Sequence, residues 1–244
     1  MSLPLWQPLA SINADQTPTT SWYWLPGWSF APTVFADFLA TLPGQHWGLN
    51  WDAAAGDFQS FAEQLAASAQ PGAIWVGWSL GGALAMRAAH AANARSVLTI
   101  ATGQQFCKPD NGSDWGMDPA VFEAFQQGLA QQPEKTLKRF LGLCAQGSDE
   151  RKTLANRLAE YQLSPEGRSL GHSLAWLGEY NLEQDQRALQ AAGIPQLHLY
   201  ASADSLTPGG LEPSRGMGQS HGLLLETASH NELASLFATL GQDH

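Results

Sequence analysis

Between Ala73 and Asn93 the chain passes from an apolar run of strand length, AIWVGW at 73 to 78, straight into an alanine-rich helical segment, SLGGALAMRAAHAAN. The change of direction has to be made within Gly77-Trp78-Ser79-Leu80-Gly81. A strand that is apolar at every position is buried on both faces, as in a parallel sheet. So short a turn crowds strand and helix backbones together, and Gly77 and Gly81 remove side chains that would collide there. Gly82 and Ala83 then let the helix lie close to the sheet. Ser79 is left standing above the strand end on a strained turn, the placement of a nucleophilic hydroxyl. The pentapeptide alone is weak. With 24 Gly in 244 residues, Gly-x-Ser-x-Gly arises by chance in on the order of one chain in ten, and a helix N-cap serine is the structural alternative.

The same alternation of strand and helix runs through the first half. SWYWL over about 21 to 25 reads as an aromatic strand ending at Pro26-Gly27, and the apolar spacing from Val34 to Leu42 reads as a helix. HWGLNW at 46 to 51 is a second strand. A helix over about 57 to 69 puts Phe58, Phe61, Leu65 and Ala66 on one face. Pro71-Gly72 interrupts it, and beyond the alanine-rich helix another strand runs over about 95 to 101. This βαβαβαβ order predicts an α/β fold with a mostly parallel sheet covered by helices on both faces. From about 105 to 190 strand signals stop and helical patterns such as VFEAFQQGLAQQ and KTLKRFLGLCAQ take over. The strand rhythm resumes with IPQLHLYAS at 194 to 202, then GLLLET at 222 to 227, and a closing helix over about 231 to 240. The expected organisation is therefore a core of residues 1–104 and 191–244 with a helical cap, 105–190, inserted between two strands. Such an insertion sits over the strands' carboxyl ends, where open α/β sheets bind ligands.

A serine hydroxyl needs a histidine base and a carboxylate to hold that base. Asp204 in ASADSLTP follows the strand QLHLYA, and His230 in ETASHNEL follows the expected strand 222–227. Both thus stand at strand ends, in the order Ser, Asp, His found in α/β-hydrolases. His221 precedes the expected strand, so His230 is preferred. Leu80 N–H, at the start of the helix, and Trp28 N–H, in the loop after the first sheet strand, are the expected oxyanion donors.

At 244 residues the chain can bury one sizeable core. No apolar stretch approaches the roughly 20 residues of a membrane span. The start, MSLPLWQPLASINADQ, lacks the pattern of a signal peptide, so a cytoplasmic protein is expected. Cys107 and Cys144 match neither a disulfide framework nor a metal-ligand spacing. A net charge of −10 argues against nucleic acid or anionic membrane as partner. Seven of the twelve basic residues nevertheless fall within Lys135, Lys138, Arg139, Arg151, Lys152, Arg157 and Arg168.

Taken together, AIWVGWSLGG, the strand ending IAT, the segments FEAFQQGL and KRFLGL, and the later LHLYASADSLTP and ASH resemble the pimeloyl-acyl carrier protein methyl ester carboxylesterases of biotin synthesis. The resemblance implies an α/β-hydrolase fold with a cap, and a serine esterase without metal or organic cofactor. It makes Ser79, Asp204 and His230 the triad, and Trp28 and Leu80 the oxyanion donors. Trp28, Trp78 and Phe140 become substrate contacts, the last two in the acyl channel, although core packing would also account for those two. It also gives the basic cap a meaning, with Lys135, Arg139, Lys152 and Arg157 receiving an acidic acyl carrier protein; a solvated helix face is the alternative. A monomer is expected. Pro26 and the loop NWDAAAGDF depart from the family's pattern near the pocket mouth. A general short-chain carboxylesterase, a lyase using the same triad, and a ligand-binding homologue without turnover stay open as other functions.

Overall fold

The computed structural model describes residues 3–9, 20–108, 116–165, 169–207 and 210–241. Seven strands, β1 (Trp6–Leu9), β2 (Ser21–Leu25), β3 (Gln45–Leu49), β4 (Ile74–Trp78), β5 (Ser96–Ile100), β6 (Gln196–Tyr200) and β7 (Ser214–Gly216), form one sheet in the order β1-β3-β2-β4-β5-β6-β7. All pairs are parallel except β1 with β3. The central strands are the apolar ones. Every residue of β4 and β5 is buried, because helices cover both faces.

Period-two alternation distributes the aromatic side chains of β2 between those faces. Trp22 and Trp24 stack at 5.6 Å, and Trp24 meets Phe35 and Phe237. Tyr23, on the other side, stacks on Trp75 at 5.1 Å. The helices are α1 (Ala36–Leu39), α2 (Phe58–Ser68), α3 (Leu80–Ala89), α4 (Pro119–Gln131), α5 (Pro133–Cys144), α6 (Arg151–Ala159), α7 (Ser169–Ala175), α8 (Glu183–Ala191) and α9 (Thr227–Gly241). In α2, Phe58, Phe61, Leu65 and Ala66 are all buried, as their spacing requires. The Asp57 side chain caps this helix by accepting from Ser60 N at 2.7 Å.

Among the described residues between β5 and β6 the regular elements are helical, α4 to α8. Arg87 of α3 reaches Asp185 of α8 at 2.7 Å and lies over the Phe58 ring, so α8 packs against the sheet's own helices. The α4 and α7 segments lie instead over the loop that follows β2, where the indole Nε1 of Trp28 donates to Leu170 O at 2.9 Å. No described helix is long and apolar enough to cross a membrane.

Two expectations are corrected at the sheet's far edge. Residues 222–227 form no strand; Leu223–Leu225 is a buried 3-10 turn, and α9 starts at Thr227. The seventh strand is Ser214–Gly216, exposed at every position. Periodicity cannot tell a short buried apolar run from a strand, and an exposed three-residue edge strand carries no apolar signal at all.

Candidate active site

Ser79 links β4 to α3 with φ +56° and ψ −123°, a backbone conformation that costs about 1–3 kcal/mol for a residue other than glycine. The surroundings leave it no other path. A Cβ on Gly77 would lie 2.4 Å from Gly82 Cα, one on Gly81 would lie 2.1 Å from Leu25 O, and one on Gly82 would lie 2.0 Å from Thr102 Oγ1. Ser79 N donates to Ile100 O at 2.8 Å, and Thr102 Oγ1 donates to Ser79 O at 3.0 Å. Neighbouring β5 therefore clamps the turn. Leu80 begins α3, so its N–H has no carbonyl of a preceding turn to bond.

The close approach at Gly81 brings the start of α3 against the Leu25–Pro26 backbone, and the Gly27–Phe30 turn continues directly from it. Trp28 stands in that turn. Its ring is buried edge-on against Phe125 and Phe140, at 5.6 and 5.1 Å. The Trp28 and Leu80 backbones thus belong to two segments that meet beside Ser79.

Asp204 follows β6 and is buried, and its carboxylate accepts from Leu206 N, Thr207 N and Thr207 Oγ1 at 2.8, 3.2 and 2.5 Å. Its histidine partner is His221, not His230. His221 Nδ1 donates to Asp204 Oδ2 at 2.9 Å, and both side chains are 1% exposed. Burial alone would raise the Asp204 carboxyl. The attraction a protonated imidazole at His221 would exert, its hydrogen bond, and the Thr207 and Leu206 donors outweigh burial and hold the carboxyl below the usual range. His221 O accepts from Trp78 Nε1 at 2.9 Å, which ties the histidine to the residue before Ser79. His230 lies in α9 with its ring stacked on Phe38 at 4.9 Å. The expectation of His230 followed from the misplaced strand: once β7 is Ser214–Gly216, His221 is the histidine after the last strand. The signal that could have found it is the cluster Gly-Gln-Ser-His-Gly at 218–222, turn chemistry ahead of a run too short to decide.

Phe140 lines a cavity of about 390 Å³ between α4 and α5, with Phe106, Met117, Val121, Phe125 and Arg139. Trp78 does not line it. Its ring is fully buried between Gly27, Phe30 and His221. Lys135, Arg139 and Lys152 are exposed, as is Lys138. Arg157 departs from the expected pattern, being half-buried with Nη1 donating to Leu225 O. Arg168 lies outside the described residues. Cys144 is buried, and burial pushes the half-buried Cys107 thiol up to about 11, which suppresses thiolate chemistry near neutral pH.

A strained serine turn and a buried Asp–His pair thus stand at the carboxyl ends of a parallel sheet, and residues 17–236 match the model of the alpha/beta hydrolase family, to which the chain belongs. An esterase from Exiguobacterium antarcticum shares the fold, with a TM-score of 0.73 over 98% of this chain and 95% of its own, at 16% identity. The pimeloyl-[acyl-carrier protein] methyl ester esterase of Klebsiella pneumoniae is 32% identical over 209 residues, 82% of this chain and 78% of that one. The protein of the same name from Vibrio atlanticus is 34% identical over 182 residues, 71% and 69%. Within the alpha/beta hydrolases the chain belongs to the pimeloyl-[acyl-carrier protein] methyl ester esterase family.

Proposed function

We propose that this protein hydrolyses the methyl ester of pimeloyl-acyl carrier protein through an acyl enzyme on Ser79, with His221 as the base. The observation that carries the mechanism is the 2.9 Å contact of His221 Nδ1 with Asp204, bound through Trp78 to the serine turn. With Nδ1–H donated to the carboxylate, Nε2 keeps the lone pair that takes the Ser79 proton. Ser79 Oγ attacks the ester carbonyl while the Leu80 and Trp28 N–H groups and the α3 terminus receive the oxyanion. The tetrahedral intermediate collapses as His221 returns the proton to methoxide, and methanol leaves. Water, deprotonated by the same imidazole, attacks the acyl enzyme and releases the carboxylate.

The cap is α4 to α7 in this proposal. The apolar cavity that includes Phe140 suits a hydrocarbon chain, and Trp28 joins it to the serine by packing on Phe125 and Phe140. Trp78 acts as a wall behind His221. Lys135, Arg139 and Lys152, exposed on a chain of net charge −10, suit an acidic carrier. Arg157 is left out of that surface because its guanidinium is engaged at Leu225.

Purified protein supplied with pimeloyl-acyl carrier protein methyl ester should release methanol, and a Ser79→Ala variant should not. Reversing Lys135 and Lys152, which do not line the cavity, to Glu should raise KM for the carrier-bound ester and leave turnover of a free methyl ester unchanged. Equal turnover of both esters by the parent, with no loss on charge reversal, overturns the carrier assignment.

A further inference from the structure

His221 sits in a loop rather than in a regular element, yet its ring must meet both Asp204 and the serine turn. What holds the loop is a buried carboxylate five residues on. Glu226, 6% exposed, accepts from Gln219 N at 2.8 Å with Oε2, and from Ser220 N at 2.8 Å and Ser220 Oγ at 2.6 Å with Oε1. Gln219 and Ser220 are the two residues immediately before His221. On its other side, Gly222 N donates to Cys144 O at 2.8 Å.

Three donors converge on two oxygens, and among the described residues no cation pairs with Glu226. Only an ionised carboxylate offers acceptors on both oxygens; glutamine would turn an NH₂ toward one of the donors. A buried anion is costly to desolvate unless strong hydrogen bonds offset it. The chain is shaped around this one. Gly218, at φ +71°, folds the backbone back so closely that a Cβ there would lie 2.8 Å from Glu226 Oε2. We infer that Glu226 is a positioning residue for His221: it holds the 219–220 backbone so that the imidazole is presented jointly to Asp204 and Ser79. This rests on Ser79, His221 and Asp204 being the triad.

The test is a Glu226→Gln variant acylated by an activated short-chain ester in stopped flow. Burst amplitude counts competent sites, and burst rate reports how well His221 activates the serine. The expected result is an unchanged amplitude and KM with a burst on the order of 10²-fold slower, the penalty of a misplaced group, partly restored in Glu226→Asp. A burst rate per site within twofold of the parent overturns the inference, and so does a reduced amplitude with unchanged rate, which is loss of fold. Should Glu226→Gln not fold, Ser220→Ala, which removes one donor from the same carboxylate, is measured instead, and a slowed burst at full amplitude is again required. A parent enzyme that an organophosphonate neither inactivates nor labels at Ser79 refutes Ser79 as nucleophile, an outcome distinct from either.

Discussion

His198 makes the stability of this fold depend on pH in a way that can be worked from one side chain. It lies in β6, fully buried, with Nδ1 2.7 Å from Thr99 Oγ1 of β5 and, among the described residues, no partner at Nε2. Protonation would add a charge and an N–H that nothing accepts. Burial therefore pushes its pKa from 6.5 down to about 4, against a small opposing effect of the Glu212 charge. In the unfolded chain the imidazole titrates at its ordinary value, so between about pH 6.5 and 4 the unfolded state binds more protons and stability rises with pH. Taken up to pH 5 the proton costs roughly 2 kcal/mol of stability, and up to pH 4 roughly 3 kcal/mol. His198→Gln keeps an amide facing Thr99 and removes the titration. Urea unfolding of both proteins at pH 7, 5 and 4 should show the parent losing about 2 kcal/mol relative to the variant by pH 5, because carboxylates common to both cancel. Parallel stability curves would refute the reasoning. β6 also delivers Asp204, so activity should fall with the same acid transition.

Two further substitutions test the walls of the site. Trp78→Phe removes the donor to His221 O and leaves a buried carbonyl unpaired; about 1–3 kcal/mol of stability should be lost, with turnover falling more than KM rises. Gly82→Ala forces a Cβ to within 2.0 Å of Thr102 Oγ1, an overpacking worth about 3 kcal/mol. Combined with Thr102→Ala it should cost less than the two single changes added together, read from denaturant midpoints; strict additivity would contradict the predicted clash.

How much was legible in the sequence follows from where each element lies. The strands β4 and β5 announce themselves because burial on both faces demands apolar runs, β2 and β3 by their aromatic residues, α2 by a 3.6-residue stripe and α3 by its small apolar residues. The strained turn at Ser79 was readable for the same reason: it joins the two best-marked elements, and its glycines stand where a Cβ would collide. The edges were not readable. β1 is four residues, partly exposed, and β7 is Ser-Arg-Gly, while Leu223–Leu225 looked like a strand because it plugs the core beneath the His221 loop. That one misplacement pointed to His230 as the partner of Asp204, where the fold puts His221. Arg157 failed differently, since charge in sequence does not say whether a guanidinium faces solvent or reaches back to a carbonyl. Glu226 carried no signal, because its meaning lies in three donors that only the folded loop brings together.

Which histidine serves Ser79 decides the mechanism. His221→Gln and His230→Gln, each checked for folding, should be assayed for methyl ester hydrolysis beside the parent. Loss on the order of 10⁴-fold in kcat for His221→Gln, with His230→Gln within about twofold of the parent, is the predicted result. Full activity in His221→Gln, or collapse in His230→Gln alone, would contradict it.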